Sequence, residues 1–226
     1  MSAIVINNIE HELPADFTLA QWKQLTPHTT NKKKLIAEAF GVDEKLLQDM
    51  DDDAATLGAS IVYRTLYPEH IKANTDGLLK FKDMTLGQFI DLEFHMITGA
   101  KKTILEIANV LYDEEITDDT PISKIWGAFQ SYANYRKLLY SQYEVLFAQD
   151  GDVDEVIEDK PVNPLDNARS WYNTVMYVAN DDLLAANKVV ERPVVEVFNF
   201  LAYKKNKIQE EMQRAREKEL QRKMKR

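Results

Sequence analysis

Few residues in this chain could do chemistry, and their spacing narrows what that chemistry could be. Four histidines, His11, His28, His70 and His95, are scattered along it, none in an HExxH motif or at a zinc-site spacing. Asp91 and His95 fall one helical turn apart, so they form a candidate pair of metal ligands. A di-metal carboxylate bundle needs Glu-x-x-His on two helices and further Glu from two more. Only fragments of that set are present, and His95 reads as a hydrogen-bonded core histidine. Asp150-Gly151-Asp152-Val153-Asp154 opens like a calcium loop. Its sixth and twelfth positions, however, are Glu155 and Pro161, where an EF-hand needs Gly and a bidentate Glu. The stretch 150–163 therefore reads as an acidic linker. The chain has no Cys, which removes thiolate chemistry and Cys-ligated zinc and fits a reducing compartment. It has no glycine-rich phosphate loop and no nucleophile elbow. The expectation is no catalytic, cofactor-binding or metal-binding residues, no required cofactor and no enzymatic activity.

Charge carries more information. The chain has 226 residues and a net charge of −9, which repels nucleic acid on average. That average hides an asymmetry. Residues 204–226 carry ten Lys/Arg against four Asp/Glu, net +6, while the rest carries 18 against 33, net −15. An acidic body with a basic tail points to an anionic partner for the tail. Lys204, Lys205, Lys207, Arg214, Arg216, Arg222, Lys223 and Arg226 are the candidate partner-binding residues. A solvated helix is the plainer reading of the same residues; read as a docking surface, they would meet an acidic face of a neighbouring subunit or phosphate.

The elements that must position this tail can be read from caps and periodicity. Ala3–Ile6 and Ile9–Leu13 flank Asn7-Asn8, which predicts a two-residue β-hairpin. Thr85 and Gln88 form a capping box, with Met84 and Phe89 as its hydrophobic staple. Asp16-Phe-Thr-Leu-Ala-Gln-Trp22 repeats Asp83-Met-Thr-Leu-Gly-Gln-Phe89 in kind, which predicts the same strand-to-helix transition twice, with 78–82 as the second strand. The helix from Thr85 is apolar on most sides and ends at Gly99. With a second helix over 104–112 it predicts a hairpin at the centre of the core. Apolar spacing predicts helices over 54–67, 122–147, 165–178 and 183–190, and a last helix from Pro193 to Arg226. That final helix docks through Val194 to Tyr203 and projects beyond. The reading is mainly α: a multi-helix bundle with a small N-terminal β-hairpin and a long projecting C-terminal helix. It divides as 1–149, hairpin plus helical body; 150–163, linker; and 164–226, C-terminal helices.

Residues 34–50, with Leu-Ile-Ala-Glu-Ala-Phe-Gly-Val inside, resemble a helix-turn-helix, which would make the protein a cytoplasmic DNA-binding regulator. The would-be reading helix carries Asp43, Glu44 and Asp49 and runs into Asp51-Asp52-Asp53, charges that repel phosphate. A plain helical hairpin is the preferred reading. No run is long and apolar enough for a membrane span, and the opening residues lack the form of a signal peptide.

Two phrases, Thr85 to Glu93 and Asp181 to Leu201, resemble segments of uncharacterised virion and tail-assembly proteins of tailed bacteriophages, particularly crAss-like phages. The resemblance implies a non-enzymatic, multimeric subunit of the portal–tail region, a ring or collar component, located in the virion and assembled in the host cytoplasm. Its partners would be other phage structural proteins and further copies of itself, with no membrane. Nucleic acid would be met only through the basic C-terminal helix. A tail-assembly chaperone absent from the mature particle is the alternative. The resemblance carries no site residues.

Overall fold

The computed structural model describes residues 3–6, 9–67, 71–98, 103–112, 115–147 and 163–224. Among them are ten α-helices and one two-stranded antiparallel sheet, the architecture expected from the sequence. The chain forms two compact units, one built from 1–78 and 104–133, the other from 79–103 and 134–226. This division differs from the boundaries at 149 and 163 read from the sequence. The reason is packing: an early helix joins the C-terminal helices, and one long helix is shared between the units. The acidic stretch 150–162 lies outside the described residues.

In the first unit, β1 (Ala3–Ile6) pairs with β2 (Ile9–Glu12) in the register Ile6↔Ile9, which a two-residue connection requires. The Asn7-Asn8 turn itself lies outside the described residues. α1 (Leu19–Leu25) starts at a complete capping box: the Gln21 N–H donates to the Thr18 hydroxyl at 3.3 Å and the Thr18 N–H to Gln21 Oε1 at 2.9 Å. α2 (Lys32–Phe40) is capped by Asn31 and closed by Gly41 at φ 65°, where a side chain would be strained. It buries Leu35, Ile36 and Phe40, in a unit where α3 (Asp52–Leu66) buries the small residues Ala55, Gly58 and Ala59. A Cβ at Gly58 would lie 2.8 Å from Ile36 Cδ1, the movable end of that side chain, so Gly58 marks where α3 meets α2. The second half of the would-be helix-turn-helix is one 3₁₀ turn, Glu44–Leu47, with no helix long enough to read DNA. The expected strand over 78–82 also does not form. Leu78 makes a single bridge to Tyr112 after Gly77 at φ 79°, and Phe81–Asp83 winds into a 3₁₀ turn.

α4 (Leu86–Thr98) belongs to the second unit and α5 (Thr103–Leu111) to the first, so the expected central hairpin is replaced by two helices in different cores. Gly99, its expected terminator, lies outside the described residues. α4 is also less buried than its composition suggests: it covers Leu86, Phe89, Leu92 and Glu93 but exposes Phe94. α6 (Ile122–Gln142) contributes residues up to Ala133 to the first unit and the rest to the second. Tyr143 separates it from α7 (Glu144–Phe147). α8 (Pro164–Val178), α9 (Leu183–Val190) and α10 (Val194–Met224) complete the second unit. Asn180 and Asp181, both at positive φ, turn the chain between α8 and α9.

The two units share one construction. In the first, Thr18 bridges Pro121: the Ile122 N–H donates to the Phe17 carbonyl at 2.7 Å and the Leu19 N–H to the Thr120 carbonyl at 2.9 Å. In the second, Thr85 bridges Pro193: the Val194 N–H donates to the Met84 carbonyl at 2.9 Å and the Leu86 N–H to the Arg192 carbonyl at 2.8 Å. Each capping-box helix is thus stitched, backbone to backbone, to the start of a proline-led helix. The side chains repeat as well. Trp22 meets Trp126 edge-on at 6.1 Å, and Phe89 meets Phe198 edge-on at 5.5 Å. Ile122, Ile125 and Trp126 are buried in one unit where Val194, Val197 and Phe198 are buried in the other.

Candidate functional site

α10 begins as core and ends as surface. Val194, Val197 and Phe198 are buried, whereas every residue from Asn206 to Met224 is exposed. The helix rises about 1.5 Å per residue, so its exposed part is on the order of 28 Å long. Glu210–Arg214 at 3.6 Å and Glu219–Lys223 at 2.7 Å are ion pairs one turn apart that support the helix locally.

The structure distributes the candidate basic residues over three rows at about 100° per residue rather than gathering them in one stripe. Lys204 and Arg222 share one row; Lys205, Arg216 and Lys223 a second; Lys207 and Arg214 a third. Ile208, Met212 and Ala215 lie between the first two rows, with Ile208 and Met212 exposed at 49% and 54%. The surface is therefore a short apolar line with cations on both sides, closed one turn further on by Glu219. Lys204 is half-buried, its ammonium 5.4 Å from the centre of the Phe200 ring. Arg226 lies outside the described residues.

Where α10 leaves its core it forms one wall of a cleft of about 570 Å³. Trp171 of α8 and Phe198 lie on its lining with parallel rings 6.3 Å apart, and Lys204, Lys205, Ile208 and Met212 extend it along α10. It is apolar where it meets the aromatic core and basic where it meets the extension.

Bonded to Tyr140 on the cleft lining is a buried polar group. Glu93 is 2% exposed in the core of the second unit. Its carboxylate accepts two bonds from the Arg136 guanidinium, at 2.6 and 2.9 Å, and one from the Tyr140 hydroxyl at 2.7 Å. Burial first, and then the charge of Glu93, push the Tyr140 phenol well above its ordinary pKa. Arg136 also lies over the Tyr140 ring at 4.6 Å. The network joins α4 to the second half of α6. A glutamate on an apolar helix face, with an arginine and a tyrosine four apart on another helix, was the signal available in the sequence.

His95 is half-buried against the edge of Phe94, while Asp91 is exposed. Among the described residues no three His, Cys, Asp or Glu side chains converge as a metal site would require. No described helix is long and apolar enough to cross a membrane. The chain matches no family profile, no curated protein and no solved structure.

Proposed function

We propose that the protein is a non-enzymatic structural or assembly subunit of a tailed-phage particle, a component of a ring or collar in the portal–tail region. It associates through α10 with acidic faces of its neighbours. The observation that carries this reading is the fully exposed helix over 206–224, with apolar residues set between cations. A solvated helix of that length gains nothing from core burial, and isolated helices of this size are marginal in water. Docking on a partner supplies the missing contacts. The phage assignment rests on the resemblance at 85–93 and 181–201. Deleting 206–226 leaves a folded second unit but lowers the assembled mass. Moderate salt weakens assembly of the intact chain, because charges of this kind are screened over roughly 8–10 Å. Circular dichroism and light scattering at low and high salt measure both effects. Equal masses for both forms at every salt would remove the assembly role. A mass-spectrometric inventory of purified virions tests the location, and absence of the protein from particles would refute it.

A further inference from the structure

We infer that the exposed part of α10 is received by the first unit of a second copy, in the same way that the second unit receives the continuation of α6. This rests on the proposed assembly role and names its contact. The repeat defines the equivalence. Counted from the two prolines, Arg136 and Tyr140 of α6 correspond to Ile208 and Met212 of α10. Counted from the two capping threonines, Phe89 and Glu93 of α4 correspond to Trp22 and Thr26 of α1. Beyond Ala133, α6 is held by the capping-box helix α4 through Glu93, with Phe89 6.4 Å from Tyr140. The corresponding stretch of α10 borders the open cleft and leaves Ile208 and Met212 about half exposed. The receptor is correspondingly uncovered: Phe89 is fully buried, while its counterpart Trp22 is only half-buried. In the inferred contact Met212 meets Trp22, a favourable sulfur–aromatic pairing, and Ile208 meets Thr26.

Charge points the same way. The first unit carries 18 Asp/Glu against 8 Lys/Arg, net −10, and the tail that would dock on it is net +6. The first unit of the same chain is thus opposite in net charge to its own tail. Because the tail of one copy meets a different surface on the next, the contact is heterologous and propagates into a closed ring or a filament.

The absence of cysteine makes the test direct. One full-length chain carries Ile208→Cys and another Thr26→Cys, and the two are mixed under mild oxidation. A mixed disulfide between them, formed several-fold faster than between Ile208→Cys and a Leu57→Cys control on the exposed face of α3, supports the inference. Equal rates overturn it. A second arm uses Ile208→Asp with Met212→Asp, whose native side chains are exposed enough that folding, read by circular dichroism, is retained. Self-association is expected to weaken at least tenfold. If these variants assemble as the wild type does while deletion of 206–226 abolishes assembly, the docking inference falls and the assembly role stands. If the deletion also assembles normally, both fall.

Discussion

Replacing Arg136 by Met tests whether the Glu93 network is the polar joint of the second core. The substitution keeps most of the side-chain volume but removes two charge-assisted bonds, at 2.6 and 2.9 Å, from a carboxylate that is 2% exposed. Breaking a buried pair by removing one partner costs about 3–5 kcal/mol, because the remaining charge stays desolvated. The Arg136 side chain is itself 36% exposed, so water reaches part of the site and the cost falls near 3 kcal/mol, the lower end of that range. Against a typical total of about 5–15 kcal/mol, that is a large fraction of the stability. Tyr140→Phe removes one bond to a charge and costs less, about 1.5–3 kcal/mol. The pair Glu93→Leu with Arg136→Met removes both charges and recovers most of the loss. Urea denaturation followed by circular dichroism, fitted for the second unit, gives these differences as shifts of midpoint. The network also sets an alkaline limit. The folded state holds the Tyr140 proton above the pH, about 10, at which the unfolded chain releases it. That contribution is complete below pH 10 and is lost as pH rises beyond it, and Tyr140→Phe flattens this limb. An Arg136→Met shift below about 1 kcal/mol, or a double variant no more stable than Arg136→Met, would refute the reasoning.

Two further predictions concern backbone joints. Thr18→Ala and Thr85→Ala each remove a formed capping box and should cost about 1 kcal/mol in urea melts, and overlay with wild type would mean the caps do not hold these helices. Gly127→Ala should cost about 3 kcal/mol, because the new methyl group would overlap the Asn74 carbonyl oxygen, which the Tyr112 hydroxyl fixes at 3.1 Å. A thermal melt matching wild type would show that the Asn74 segment gives way.

Caps, breaks and period were legible because they are local. Thr18 and Thr85, read from the repeated phrase, each cap the helix that follows through their own side chains, and the structure adds Asn31, Asp51 and Asp182 in the same role. Pro193 opens the last helix because its missing N–H is not needed in a first turn. The basic tail was equally plain, since a helix wholly in water needs only favourable neighbours one turn away. What the sequence could not decide was which helices share a core. α4 and α5 are adjacent in sequence and both apolar, which favours a hairpin by proximity alone. The backbone bridge from Thr85 to Pro193, 108 residues on, and the Glu93–Arg136 pair instead bind α4 to helices that follow it far down the chain. Gly127, inside a helix, is a point of close backbone approach to Asn74 that no local pattern announces. The repeated capping box was visible as a phrase. Its match between Pro121–Trp126 and Pro193–Phe198 gains meaning only when both prolines are seen against both threonines, because hydrogen bonds between distant backbones leave no mark on either segment alone.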